Sequence, residues 1–486
     1  MSQAHEASQR GRVAHRGGGA RLLLALVGLM LVAAGCGAKG DSVAETGGGS
    51  DGGTQVATGG DSGGQADGEA DFGTLKAPCG PGEGKIEKSE AGSKGTDKLY
   101  IGVNSDKGAD IRPGLLREFW DSSNAYIDWC NAQGGIAGLQ IEPVDLDGQL
   151  FNVAQYLPAA CNDVFAMVGG GSTFDNLQLQ GPGNLKECGQ LDMPGFTVTK
   201  EKAEATDTYI AAVPNPANVR PAAFFDYLAQ EYPKEVGDLA SVYGDLDTIR
   251  FVMDQTNAVL TKLGKPFGLG QEIAYAAQGQ DFKLTSQSLK GSGATMGTFI
   301  GEPSNFGLLL SSMKEDGLKI PMFAESNNYD PLLLEKGSNP AGEVLIRLPH
   351  APFEEADKYP AIQKFEELMA ARKAEDPQTK TAALGIQSMS AWLLFTEAAT
   401  ACAEQGDHII SHDCIREQVG KIGEWTGGGL HSTTNPGTNE PAKCIISMKV
   451  DGDKFVRAFP EWGSKDATED GYYCPKKNAV VTIDVD

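Results

Sequence analysis

Histidine and positive charge are both scarce in this sequence. There are 6 His among 486 residues, and 41 Lys and Arg stand against 65 Asp and Glu, a formal charge of -24. The sequence pI is about 4.7. So acidic a surface repels phosphate backbones, which excludes nucleic acid as a partner. Catalytic signatures are missing too: there is no Walker A loop, no GxSxG elbow between a strand and a helix, and no HExxH. No CxxC occurs, so zinc ribbons and thioredoxin-type redox sites have no support. His408 and His412 are spaced i, i+4, but they sit among polar residues beside Cys414 and read as a surface loop. The expectation is a binding protein rather than an enzyme, with no cofactor and no metal.

What is present begins with a processing segment. Arg10, Arg12, Arg16 and Arg21 precede the apolar run Leu22–Ala34. That run is about 13 residues, where a bilayer-spanning helix needs about 20. It ends in Ala33-Ala34-Gly35-Cys36. Small residues before a cysteine resemble the bacterial lipobox, in which the thiol is acylated and the chain cut just before it. Residues 1–36 therefore read as a lipoprotein signal peptide. Cys36 is the expected lipidation site, which would anchor the protein to the cell membrane outside the cytoplasm.

Eight cysteines remain: Cys79, Cys130, Cys161, Cys188, Cys402, Cys414, Cys444 and Cys474. An even number in an exported chain points to disulfides. The short separations favour Cys161–Cys188 and Cys402–Cys414, which leaves Cys444–Cys474 and Cys79–Cys130.

Residues 37–95 are rich in Gly, Ser, Asp and Ala, as in GGGSDGG at 47–53. Apolar residues there are too sparse to offset the entropy of ordering, and the stretch reads as a flexible tether. From Lys98 the pattern changes to alternating apolar strands and amphipathic helices. Strands are expected at 98–103, 139–147, 164–170 and 194–198, with helices at 114–132, 153–161 and 174–190. The alternation restarts with a helix at 217–230, strands at 239–244, 271–276, 295–301 and 320–325, and helices between them. Later come 343–350, helices near 358–374 and 382–404, and a strand at 444–450. This is an α/β chain of two similar lobes, each a parallel sheet faced by helices.

Asn131-Ala132-Gln133-Gly134-Gly135-Ile136-Ala137-Gly138 closes the first helix with glycines suited to left-handed turns. In its context it resembles the N-x-x-GGI-x-G signature of the branched-chain amino-acid binding proteins, the type I periplasmic binding proteins. Further pieces resemble that family in order: Ile101-Gly102-Val103, Asp145-Leu146-Asp147, Cys161 to Gly169, Tyr243-Gly244-Asp245, Gln280-Asp281-Phe282 and Gly317-Leu318. The resemblance covers about 98–460.

The resemblance implies two Rossmann-like lobes joined by three crossovers, with a ligand cleft between them. Lobe 1 would be 98–214 plus 341–440, and lobe 2 would be 215–340 plus 441–486. It implies a solute-binding lipoprotein that delivers a small polar ligand, an amino acid or a related amide or organic acid, to the permease of an ABC importer. Ser172 and Thr173 match the family's hydroxyl loop, and Thr197 or Thr199 the next strand end; these would hold a ligand carboxylate. Asp245, Glu302 and Glu325 would face the cleft from lobe 2, with Glu325 matching the carboxylate that holds an ammonium. The family often has Tyr-Gly where this chain has Thr248-Ile249, so the side-chain pocket should differ from one for leucine, isoleucine or valine. A ligand sensor on the same fold and, less favoured, an extracytoplasmic enzyme are the alternatives.

Overall fold

The computed structural model describes residues 70–276 and 281–485. Cys36, the lipobox, most of the tether and Gln280 lie outside them. Two sheets organise the described chain. The first has four parallel strands in the order 141–147, 99–105, 166–168, 192–193. The second has seven, in the order 454–459, 446–451, 344–348, 322–324, 296–300, 239–244, 269–275. Its two C-terminal strands are antiparallel and the rest run parallel. The apolar runs that the sequence marks as strands are the buried strands of these sheets, as parallel sheets covered on both faces require.

Three expected elements differ. Residues 174–190 form only a 3-10 turn, Asp175–Leu179, and a short helix, Leu185–Cys188. Gly181-Pro182-Gly183 between them interrupts the helical hydrogen bonds, and Gly181 and Gly183 both take positive φ. The run 194–198 is not a strand; the sheet's last strand is Asp192–Met193. Residues 217–230 open as a strand, Val219–Pro221, before the helix Ala223–Glu231.

The lobe boundary also moves. The strand Val344–Leu348, assigned above to lobe 1, pairs with Met322–Ala324 in the seven-stranded sheet. The second crossover therefore follows it rather than preceding it.

The described part of the stretch expected as a tether, residues 70–95, is folded. Phe72 is fully buried and meets Trp129 edge-on at 5.9 Å. The Gly80 amide donates to the Gly135 carbonyl at 2.8 Å, and the Gly138 amide to the Gly80 carbonyl at 2.9 Å. Lys85–Ile86 pairs with Ile409–Ile410. A Cβ at Gly138 would lie 2.3 Å from the Gly82 carbonyl, so this turn accepts the incoming strap only as glycine. Residues 70–95 are thus part of the folded body.

All four disulfides form, as Cys79–Cys130, Cys161–Cys188, Cys402–Cys414 and Cys444–Cys474.

Two helices set the wall of lobe 1. Ala383–Ala403 is buried on nearly every face and packs on Arg117–Ala132. Trp392 donates to Ser123 Oγ at 2.8 Å, Tyr126 stacks on its ring at 5.4 Å, and the Tyr126 hydroxyl meets Thr396 at 2.6 Å. This fixed helix pair holds Glu118, Phe119, Leu384 and Gln387 against the cavity described next.

Candidate ligand cavity

A cavity of about 710 Å³ lies between the two sheets. Lobe 1 supplies Ile111, Arg112, residues 114–116, Glu118, Phe119, Leu150, Phe151, 172–174, Phe196, Val198, Lys380, Leu384 and Gln387. Lobe 2 supplies Leu246, Thr248, Ile249, Val252, Tyr275 and residues from Phe299 to Lys336. The three passages of chain between the sheets add Val213, Pro214 and Asn215, then Pro349, then Pro441 and Ala442. Apolar side chains dominate this lining. At one end, beside the crossovers, Arg220, Arg347 and Ala442 are buried. At the other, Ile111 is 55% exposed and Phe151 59% exposed, with Phe151 against Phe174 at 4.9 Å between ring centroids. The cavity therefore has a closed end at the crossovers and an apolar mouth.

The expected site residues divide into two groups. Ser172, Thr173, Glu302 and Glu325 line the cavity. Thr197, Thr199 and Asp245 are absent from its lining. In 196–199 the residues alternate, and it is Phe196 and Val198 that face the cavity. Thr199 turns the other way, donates to Asp175 Oδ1 at 2.5 Å and caps the helix Lys200–Glu204. Thr197 is buried, with no hydrogen-bond partner for its hydroxyl among the described residues. Asp245 is mostly exposed and pairs with Arg250 at 2.9 Å.

The four that line the cavity are already engaged by the protein. Asp106 accepts from the Thr173 amide at 2.7 Å, from Ser172 Oγ at 3.2 Å and from the Leu150 amide at 3.0 Å. Burial pushes the Asp106 carboxyl up, against the pull of those donors. A protein carboxylate thus sits on the donors that were expected to receive one from a ligand. Glu325 accepts from Arg347 Nε at 2.7 Å. Glu302 pairs with Arg112 across the cleft, and Arg112 Nη2 also donates to Ser304 Oγ at 3.0 Å.

Charged residues that the sequence reading did not pick out complete the lining. Lys380 bridges Glu118 at 3.0 Å and Asp330 at 2.8 Å. Burial acts to pull the Lys380 ammonium down, but the two carboxylates hold it above its ordinary value. Burial pushes Glu118 up, and Lys380 offsets this only in part. Arg220 stands nearest the first crossover and hydrogen-bonds Asn215. A sequence signal did exist for Arg347: it is the single charge inside the apolar strand Val344–Leu348. A charge in such a run must be paired or functional.

The periplasmic binding protein family model matches residues 98–454. The chain belongs to that family. A search among curated protein sequences returns no match. Among solved structures, a fatty acid ABC transporter substrate-binding protein from Thermomonospora curvata is similar in fold, with 17% identity and a TM-score of 0.61 over 77% of this chain and 95% of that one. A leucine binding protein from Thermotoga maritima is similar over 78% of this chain and 99% of that one, with 14% identity and a TM-score of 0.57. The branched-chain amino acid transporter substrate binding protein of Streptococcus pneumoniae, solved with isoleucine, matches over 74% and 100%, with 14% identity and a TM-score of 0.57. At these identities the likeness is one of fold. As a member of the family, the chain is a solute-binding protein of two α/β lobes, placed outside the cytoplasm.

Proposed function

We propose that this chain is the solute-binding component of an ABC importer and that its cargo carries an extended apolar body, rather than being a small polar molecule. The lining carries this reading. Ile111, Leu115, Leu116, Phe119, Phe151 and Phe174 on one side meet Ile249, Val252, Phe299, Ile300 and Leu308 on the other. Removing such surface from water is worth about 25 cal/mol per Å² of apolar area covered. A volume of about 710 Å³ lies within the roughly 300–1,000 Å³ of pockets that enclose a whole drug-sized ligand. Ser172, Thr173 and Glu325, the residues a zwitterion would need, are engaged within the protein. The fold likeness to a fatty acid transporter's binding protein is in keeping with this. The partner would be the importer's permease. The anchor would be an acylated Cys36, which rests on Ala33-Ala34-Gly35-Cys36.

Native mass spectrometry tests the cargo. The full-length chain carrying Cys36→Ser, purified without detergent, should retain a non-covalent amphiphile. Retention of a free amino acid instead would overturn the apolar reading and restore the small polar one.

A further inference from the structure

The cavity holds two guanidinium groups that its carboxylates do not fully neutralise. Arg220 lies in the strand Val219–Pro221, and Arg347 in the strand Val344–Leu348 just before the second crossover. Each is only 9% exposed. Glu325 takes Nε of Arg347, while Nη1 of Arg347 is buried and meets no hydrogen-bond partner among the described residues. Arg220 donates to the Asn215 side-chain oxygen rather than to a carboxylate, and Glu325 acts on its charge only from a distance. Burial draws Arg220 down to about 10, which still leaves it cationic at neutral pH. Two cations therefore share one carboxylate at the closed end.

The other charges of the lining balance among themselves. Arg112 pairs with Glu302. Lys380 is shared by two carboxylates, Glu118 and Asp330, so that cluster holds no surplus of positive charge. Lys336, the remaining cation, is exposed. The excess positive charge is thus localised at the crossovers. A buried cation without an anion bears a desolvation cost that an incoming anion relieves. The planar fork of arginine suits a carboxylate in particular.

We propose that Arg220 and Arg347 form an anion-binding end to the cavity and that the cargo is an amphiphilic monocarboxylate, its head on the two guanidiniums and its apolar body running out past Phe119 and Phe174 to Phe151 and Ile111. This rests on the apolar-cargo reading above. It moves the carboxylate site from the hydroxyl loop, where Asp106 takes the donors, to the crossovers between the lobes.

Calorimetric titration of the full-length Cys36→Ser chain with decanoate, decan-1-ol and leucine tests the assignment. The acid should bind more tightly than the alcohol by a factor on the order of ten to a hundred, the worth of a charged hydrogen bond. Arg220→Gln should remove most of that preference, lowering the acid's affinity by a larger factor than the alcohol's. Arg220→Lys keeps the charge and loses the fork, so it should lower acid affinity by a smaller factor; it carries the test if Arg220→Gln does not fold. Equal binding of acid and alcohol, or an acid preference untouched in both variants, would overturn the anion site and leave the apolar-cargo reading standing. Binding of neither aliphatic probe, with or without binding of leucine, would overturn that reading and this assignment together.

Discussion

Arg347 holds Glu325 within the protein, through Nε at 2.7 Å and through Nη2 on the same carboxylate oxygen. Glu325, expected to meet a ligand's ammonium, takes its hydrogen bonds from Arg347 and so shares that guanidinium's charge. Glu325→Gln should therefore strengthen decanoate binding, by about tenfold if the neutral amide frees one charged contact. It should also cost roughly 1–2 kcal/mol of stability without ligand, because Arg347 loses its counter-charge. Titration and thermal melting of the same sample decide both. Weaker decanoate binding would mean that Glu325 holds the arginine in place rather than competing for it.

The mouth makes a separate prediction. Phe151 is 59% exposed and, among the described residues, has Phe174 as its one ring neighbour. Phe151→Ser should weaken long aliphatic acids by roughly fivefold, since partly burying one aromatic ring is worth about 1 kcal/mol. Hexanoate, too short to reach the mouth, should not notice the change. A series of acids from six to sixteen carbons reads out the difference.

Arg112 and Glu302 bridge the lobes across the cleft, each about 30% exposed at its side chain (32% and 29%). Such a pair is worth roughly 0.2–1 kcal/mol. Arg112→Ala should shift the unliganded protein toward a more open cleft. Small-angle scattering should then show a larger radius of gyration than the parent without ligand, and the same radius when ligand is saturating. Identical profiles without ligand would show that the pair does not bias the cleft.

Acid should destabilise the fold through two histidines. His350 and His431 face each other as a β-bridge and are fully buried. Nδ1–H of His431 donates to the Ser432 carbonyl at 2.8 Å, and Nε2 meets the Ser390 hydroxyl at 2.8 Å. Burial lowers both to about 4. The unfolded chain protonates near pH 6.5, so between about 6.5 and 4 it binds protons that the folded chain refuses. Stability from this source is whole above pH 6.5, falls as pH drops and is lost by about pH 4. His431→Gln should flatten that part of the melting-temperature profile, and an unchanged profile would remove His431 from the account.

The strap carries a further expectation. Cys79–Cys130 closes a separation of 51 residues. In the chain-entropy model such a closure is worth about 4 kcal/mol. Replacing both cysteines by serine should lower the melting temperature and expose residues 70–86 to limited proteolysis, while the segment resists cleavage in the parent.

The two-lobe α/β architecture was legible because buried parallel strands are written as unbroken apolar runs, as in Leu239–Gly244 and Val344–Leu348. The same rule misled at 194–198, whose apolar residues Phe196 and Val198 serve the cavity rather than a sheet. That one-residue parity also turned Thr197 and Thr199 away from the cleft. Composition overstated the tether, because few apolar residues suffice when Phe72 and Cys79 each dock on an existing core. Ser172, Thr173, Glu302 and Glu325 were found at the cavity, since their places follow from strand ends. Their partners Asp106 and Arg112 were not, because pairing across 66 or 190 residues leaves no local pattern, and the lone charge of Arg347 in an apolar strand does not name a partner 22 residues away. Arg220 escaped for a related reason: its importance is the lack of a carboxylate, which only three dimensions reveal.

The strap has a mechanical consequence. Its attachments, the bond to Cys130, the contact with Trp129 and the pairing with Ile409–Ile410, all belong to the four-stranded lobe and the helices beside it. A pull applied upstream of residue 70 is therefore delivered to that lobe through a covalent bond and does not load the three crossovers. The seven-stranded lobe bears none of that load, so such a pull and the opening of the cleft are separate degrees of freedom.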